Sequence, residues 1–453
     1  MNLPNYFLAD LPPEARLGAG MIREACQTLR RNREQYLAPR PTSRLIETLG
    51  DLAANWLEPH DPFRQLALQH GPAATGLSEA TLRRGLDTFF RRMTAEGLRT
   101  LIDQDLGHLD RLDRFVATES EQASQRTSLA SGPELLVHIT AGNLPIPAIV
   151  SLVTGVLVKS AQFAKCAVGS SFLPRLFAHS LYAVEPKLAS CLELAEWPGG
   201  TPLLEESLFA EADGVTATGT EETLASIRTR LPARVRFIGH GHRVSFGYVS
   251  REMLSRSEAK QIAAHAAGDV AAWDQHGCLS PHLFYVEEGG SVPPNQFAEF
   301  LASALAQLET REPRGKVSAA DAAAITSRRN LFEVRAAASA DTQLWRSEGS
   351  TAWTVVYGAD PLFQLSCLNR FVYVKAVKGV DDALHAATAV EHQVSTVGLA
   401  ACGERARELA LALARWGASR ICPIGHMQDP PLAWRHDGRP ALAELITWTD
   451  WEH

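Results

Sequence analysis

No two of the seven cysteines, at positions 26, 166, 191, 278, 367, 402 and 422, fall at a C-x-x-C spacing. That excludes a zinc knuckle or a disulfide framework and suits a reducing, cytoplasmic setting. Basic residues are not in excess: 44 Lys and Arg stand against 51 Asp and Glu, a net charge of −7. Nucleic acid is therefore not an expected partner. The longest apolar stretch, residues 144–158, is too short to span a bilayer and has Pro145 and Pro147 near its start, so it reads as a buried helix. The start, Met1-Asn2-Leu3-Pro4-Asn5, has no basic segment leading into an apolar one, so no secretory signal is expected. There is no internal repeat and no low-complexity tract. What remains is a soluble globular chain of 453 residues, 45% hydrophobic and 21% charged, long enough for two or three domains.

Residues 1–125 read as helical. Leu82, Leu86, Phe89, Phe90 and Met93 recur at helical spacing between Leu77 and Leu112, with arginines opposite and Ser78 placed to cap. The polar stretch 117–132 reads as a linker or exposed hairpin. From Pro133 the texture changes. Short apolar runs (135–139, 162–168, 215–218, 235–238, 244–249) alternate with helical stretches (147–158, 173–188, 221–231), the pattern of a mainly parallel sheet. A second α/β block follows. A helix from Ser257 leads to a turn at Gly277, then come a strand at 283–286, helices over 295–308 and 318–329, and strands at 354–357 and 371–377. The division expected is a helical region 1–125, a nucleotide-binding domain 126–255, a catalytic domain 256–425 and a tail 426–453.

Two stretches hold residues suited to chemistry. In Trp273-Asp274-Gln275-His276-Gly277-Cys278-Leu279-Ser280-Pro281-His282 a cysteine sits on a turn between helix and strand. Free backbone N–H groups at such a boundary favour thiolate, the nucleophilic form. A buried structural cysteine is the alternative. In His138-Ile139-Thr140-Ala141-Gly142-Asn143-Leu144-Pro145-Ile146-Pro147 a strand turns into a helix that proline can open, which makes an anion site for a pyrophosphate. Asn143 as a plain helix cap is the other reading. The full G-x-G-x-x-G is lacking.

With Asn143 ahead of an apolar helix and Lys165 ending the next strand, 139–171 resembles the aldehyde dehydrogenase superfamily. The blocks 138–145, Gly277-Cys278-Leu279-Ser280-Pro281-His282 and Arg420-Ile421-Cys422-Pro423-Ile424-Gly425 are most similar to the fatty acyl-CoA reductases of bacterial bioluminescence operons. The similarity runs over about 130–450. The resemblance implies an aldehyde-dehydrogenase-like α/β fold, with a Rossmann-type cofactor domain, an α/β catalytic domain and a helical N-terminal region. It makes Cys278 the acylated nucleophile and Asn143 the oxyanion-binding amide. Lys165 becomes the ribose-binding lysine, and Gly219-Thr220 the turn under the cofactor pyrophosphate. Thr140, Gly142 and Ser170 join the cofactor set. The implied reaction reduces an acyl-CoA or other acyl thioester to an aldehyde through a cysteine-bound acyl group.

Two departures shape this expectation. Oxidising relatives carry a glutamate on a Glu-Leu-Gly-Gly strand to activate water. Here the stretch is Phe237-Ile238-Gly239-His240-Gly241-His242-Arg243, without a carboxylate, which favours thioester reduction. His240 or His242 is then the candidate proton donor, bonding to backbone being the alternative. The His-x-His pair lacks a third ligand nearby, and no metal is expected. Some NAD-using relatives place a glutamate three residues after the lysine. Val168 stands there instead, so NADPH rather than NADH is expected. His276 and His282 bracket Cys278, and either lowers its pKa if its ring meets the sulfur. The Trp-, Pro- and Gly-rich tail closes the substrate mouth or makes a subunit contact in such proteins, Trp434, Trp448 and Trp451 suiting either. A homo-oligomer is expected, supplied by acyl-CoA, an acyl carrier or an acyl synthetase. Two rival functions remain: an aldehyde dehydrogenase making acids, and a non-reducing acyl-transfer or scaffold subunit.

Overall fold

The computed structural model describes residues 3–12 and 14–452, and its strands form three sheets. The first strand, β1 (Arg126–Ser131), lies in a two-stranded ribbon. Five more, β2 (Leu135–Ile139), β3 (Ala161–Cys166), β4 (Leu192–Glu196), β5 (Gly214–Thr218) and β6 (Arg236–His240), run parallel in the order β4-β3-β2-β5-β6. Every residue of β3 is buried, as a parallel strand covered by helices on both faces must be. The helices Ile146–Leu157 and Phe172–Val184 lie on one side, where their apolar faces join the core around Leu136, Ala164 and Cys166.

Seven strands make the larger sheet. They are β7 (Val244–Val249), β8 (Pro281–Glu287), β9 (Thr342–Arg346), β10 (Thr354–Gly358), β11 (Phe371–Val377), β12 (Val394–Ala400) and β13 (Arg420–Pro423). Their order is β13-β12-β7-β8-β11-β10-β9, parallel except for the edge strand β9. The last strand, β14 (Thr447–Glu452), pairs antiparallel with β1 from Arg126↔Glu452 to Ser131↔Thr447.

The α/β class with two mainly parallel sheets meets expectation, but three readings change. Residues 244–249, assigned with the nucleotide-binding block, bond to β8 and β12 and so belong to the larger sheet. The first quarter is helical but not separate. Helices Thr42–Leu57, Glu79–Arg92 and Ala95–Leu106 share one apolar core with Ile146–Leu157, and Ala19–Asn32 lays Ile22, Cys26 and Leu29 on Val137, Phe163 and Val215. Ser78 does cap, accepting from Thr81 N at 3.2 Å, and Thr94 starts a separate helix by accepting from Gly97 N at 3.0 Å. The polar stretch 117–132 is ordered. Thr118 caps a short helix, Glu121 pairs with Arg111 at 2.7 Å, and β1 then receives β14. Polar residues signal exposure there, and the partner strand lies too far along the chain for local patterning to reveal. No helix among the described residues is long and apolar enough to cross a membrane.

The ribbon fixes where the tail runs. Residues 424–446 cross between the N-terminal helices and both sheets, held by polar contacts at intervals. Asp269 accepts from Gly425 N at 2.6 Å and Met427 N at 3.1 Å. Arg92 grips Asp429 with Nη2 to Oδ2 at 2.5 Å, and Asp105 accepts from Leu442 N at 2.7 Å. Gly425 takes φ +98°, and a Cβ there would lie 2.9 Å from His265 Cβ. Gly425→Ala therefore meets both backbone strain and a clash. Thermal unfolding should show a loss of about 2 kcal/mol or more; an unchanged midpoint would mean the tail is not clamped there.

Candidate active site

The helix Arg256–Ala271 stops at three non-glycine residues in the left-handed region: Trp273 (φ 53°), Asp274 (φ 49°) and Gln275 (φ 70°). A second left-handed triplet faces it, Leu368 (φ 57°), Asn369 (φ 55°) and Arg370 (φ 64°). Each such residue costs roughly 1–2 kcal/mol, so the conformation needs heavy support. It has that support. Asp274 accepts from Arg370 Nε at 2.9 Å and Gly315 N at 2.8 Å. Gln275 donates to the carbonyls of Pro281 (2.8 Å) and Phe371 (2.9 Å) and accepts from Phe371 N (2.9 Å). The Trp273 indole fills the space left by Gly85, where any Cβ would fall inside its ring.

Beyond this brace comes the turn that carries Cys278. Ser280 N donates to Gly277 O at 3.0 Å, and Ser245 Oγ donates to Cys278 O at 2.7 Å. The thiol is half-buried and, like the other six cysteines, is in no disulfide. Its pKa is pushed up to about 11, by burial first and the Asp437 carboxylate second; the Ser395 hydroxyl and the N–H groups of Cys278 and Leu279 oppose this and lose. The turn's N–H groups favour the thiolate as expected, but burial outweighs them. At neutral pH the group rests as a thiol.

Asn143 does not cap the following helix, which starts at Ile146. Its Nδ2 donates instead to His276 O at 3.0 Å, two residues from the cysteine, and keeps a second hydrogen. The flanking histidines are engaged elsewhere. His276 Nε2 bonds Asn369 Oδ1 at 3.2 Å, and His282 Nδ1 bonds Ser366 at 3.0 Å. Burial, with His242 adding, lowers the His282 pKa to about 4. His242 is exposed, whereas His240 lines the same cavity as Cys278.

His240 has neighbours that sequence reasoning missed. Its Nδ1 lies 3.2 Å from Asp437 Oδ2, and its ring stacks on His436 at 4.6 Å and 8°. Asp437 takes φ 55° and has only 1% of its side chain exposed. Burial works to raise its pKa, but the bond to His240 and the charges of His436 and Arg243 prevail and hold it low. Arg243 Nε lies 3.4 Å from Oδ1, and Arg439 Nη2 donates to Gly239 O at 2.9 Å while lying 3.0 Å from His240 Nδ1. His240, His436 and Asp437 could together reach one cation. The two guanidiniums already meet the carboxylate's charge, so the cluster reads as a hydrogen-bonded group. Its sequence signal was slight, a His-Asp-Gly inside a proline-rich tail.

The cofactor candidates gather at the carboxyl ends of β2, β3 and β5, where parallel sheets bind nucleotides. Thr140 N donates to Lys165 O at 3.1 Å. Gly142 approaches the turn after β3 so closely that a Cβ would lie 3.3 Å from Ala167 Cβ, and Ser170 Oγ donates to Ala167 O at 2.7 Å. Thr220 caps the helix after β5, accepting from Thr223 N at 3.3 Å, and Gly219 N donates to His240 O at 3.1 Å. Lys165 is buried under the Trp197 ring, its ammonium 5.9 Å from the centroid and without an ion pair among the described residues. The Trp197 Nε1 is also unpartnered. Such unmatched donors, beside a glycine that lets backbone come close, fit a ribose and pyrophosphate. The structure adds one acid: Glu196, ending β4, accepts from Gly169 N at 2.8 Å. A carboxylate thus stands by this turn after all, supplied by a neighbouring strand that patterning had not assigned.

The cavity encloses about 260 Å³. Its lining includes Cys278, His240, Thr140 and Thr218 together with the apolar Phe89, Leu101, Val150, Val153, Leu432 and Trp434. Trp448 and Trp451 lie exposed on β14 and do not line it.

A family model described as acyl-CoA reductase (LuxC) matches residues 37–448. The chain belongs to the LuxC family. It is 21% identical over 322 residues to the long-chain acyl-protein thioester reductase of Vibrio harveyi, covering 70% of this chain and 64% of that protein. With the corresponding protein of Photorhabdus laumondii it shares 23% over 365 residues, 79% of this chain and 70% of that one. The chain thus spans somewhat under two thirds of the Vibrio protein. Among solved structures, an NAD-dependent benzaldehyde dehydrogenase from Corynebacterium glutamicum superposes with TM-score 0.70 at 12% identity, over 98% of this chain and 94% of that one. A Δ-pyrroline-5-carboxylate dehydrogenase from Mycobacterium tuberculosis gives 0.64 at 14%, over 96% and 83%. These likenesses establish the aldehyde-dehydrogenase-like fold.

The thiol assignment has a direct check. The ultraviolet thiolate band, taken as the difference between the protein and its Cys278→Ser variant, should be missing at pH 7 and rise with a midpoint about 11. A midpoint below 8 would refute the resting thiol.

Proposed function

We propose that the protein reduces an acyl thioester to an aldehyde with a reduced nicotinamide dinucleotide, the acyl group passing through Cys278. One observation carries this reading: Cys278 lines a largely apolar cavity, and the Asn143 amide is held two residues from it by its bond to His276 O. Family membership and the names of the long-chain thioester reductases it resembles support the substrate class. The free cysteines suit a reducing cytosol.

The Cys278 sulfur attacks the thioester carbonyl. The oxygen that gains charge is stabilised by the Cys278 N–H and the Asn143 amide, once the latter turns from His276 O; one such donor is worth roughly 3–4 kcal/mol. The thiol of the donor leaves and Cys278 holds the acyl group, whose chain lies along Phe89, Leu101 and Val150. When bound, a reduced nicotinamide would supply a hydride to the acyl carbon. Lys165 and the Thr140, Gly142 and Gly219-Thr220 turns hold its ribose and phosphates. The bond from the acyl carbon to the Cys278 sulfur then breaks, releasing the aldehyde, and the sulfur regains a proton. Oxidation to an acid would need a base to hydrolyse the acyl group. In oxidising relatives a glutamate takes that role; the corresponding strand end here carries His240 in place of a carboxylate.

The nicotinamide choice turns on one charge. Val168 leaves the turn after Lys165 without its own carboxylate, which supports NADPH, while Glu196 at Gly169 pulls toward NADH. We take NADPH as the reductant with NADH as competitor. Glu196→Gln should raise the NADPH-to-NADH ratio of kcat/KM by ~10-fold, the size of one repulsive contact of ~1.4 kcal/mol. A constant ratio would place Glu196 away from the ribose.

Two further outcomes test the reaction itself. Incubation with a panel of acyl-CoA and acyl-carrier thioesters, following nicotinamide absorbance, should give aldehyde, and Cys278→Ala should abolish both acylation and turnover. Asn143→Ala should lower kcat by ~100-fold with little change in KM, because the oxyanion exists only along the reaction path. Turnover that survives loss of Cys278 would refute the scheme, and stable acylation without any reduction would favour a transfer subunit. Val150→Trp should cut kcat/KM for long-chain thioesters by ~10-fold or more while sparing short ones.

A further inference from the structure

We propose that Asp437 is a positioning residue: it fixes the tautomer of His240 so that this histidine serves Cys278 as general base and then general acid. The inference deepens the reading above and rests on it. The geometry begins with His240 Nδ1, 3.2 Å from a buried Asp437 oxygen. A carboxylate can only accept, so a bond to Asp437 requires the proton on Nδ1 and leaves the lone pair on Nε2. Nε2 has no partner among the described residues, and His240 and Cys278 line one cavity. His436 stacks on the ring and holds its plane.

Arg439 is the competing influence. Its Nη2 lies 3.0 Å from Nδ1 and, donating there, would select the opposite tautomer. It already donates to Gly239 O, and its distance to Asp437 Oδ2 is 3.9 Å. With Asp437 in place the acceptor next to Nδ1 is a full negative charge; without it, Arg439 prevails and Nε2 ceases to be a base. Arg243 on the other oxygen keeps that carboxylate aimed.

The chemistry requires such a base. A thiol at rest must lose its proton as it attacks, and the Asp437 carboxylate opposes a free thiolate. In the forward step the S–H proton passes to Nε2 while the Cys278 sulfur bonds the acyl carbon. The bond from that carbon to the donor's sulfur then breaks, and the departing thiolate takes the proton from Nε2. Asp437 stays ionised throughout, stabilising the transient imidazolium, a division of labour that convergent nucleophile–histidine–acid sites share.

The test uses the full chain and single-turnover acylation by acyl-CoA without nicotinamide, read as thiol release. The wild-type rate should rise with pH and level off, as a titrating base requires. Asp437→Asn should lower the plateau by ~10³-fold or more, leave the KM for acyl-CoA within twofold, and turn the profile into a rise that continues toward the thiol's own pKa. Asp437→Asn in a His240→Ala background should add nothing further. Should Asp437→Asn fail to fold, the tautomer is readable in the wild type by ¹⁵N-histidine NMR, where His240 should be protonated on Nδ1. A wild-type His240 protonated on Nε2, or an Asp437→Asn variant with unchanged rate and pH profile, overturns the inference. If the wild type is never acylated at Cys278, it is the proposed function that fails.

Discussion

The buried pair between Asp274 and Arg370 is the contact on which the geometry of the cleft depends. Arg370 donates Nε to one carboxylate oxygen and Nη1 to Glu309, with Nη2 2.8 Å from the same Asp274 oxygen and almost no solvent contact for the pair. Two charges taken this far from water are stabilising only with full hydrogen bonding, and losing either one leaves the other stranded. The pair sits between two segments that both bend the wrong way for L-residues. Neither would hold that shape alone. Together they turn a helix terminus into a rigid bracket that points residues 276–280 at the crevice.

Much of this was readable beforehand, for reasons tied to particular residues. Parallel strands such as 244–249 and 371–377 are apolar on both faces, so they stand out as short runs. The cap at Ser78 and the turn at Gly277 are local chemistry and show in any window, whereas the helix itself ends earlier, at Ala271, before the left-handed residues 273–275. β4 and β12 were not read. β4 places Glu193 and Glu196 in a strand, and β12 mixes Ser395 and Thr396 among small residues. The membership of 244–249 was misassigned because sheet order depends on contacts between distant segments.

At the site the division falls along the same line. Cys278 and Asn143 lie in short, distinctive turns, and the fold brings those turns together through the bond to His276 O. The ionisation of the sulfur was misjudged because local N–H groups are visible in sequence while burial and Asp437 are not. Of two histidines one residue apart, only His240 reaches the cavity, and its partners come from nearly two hundred residues further on. No local spacing could announce that meeting.

That separation has a consequence for the life of the chain. Trp434, Asp437 and Arg439 are synthesised long after Cys278 and His240, with Ala441, Glu444 and Leu445 of the cavity wall following them. A growing polypeptide on the ribosome therefore carries Cys278 in an open, unassisted trough. Until residues 434–445 are in place the cavity lacks part of its wall and His240 its acid, so a growing chain gains the full site only with this late segment.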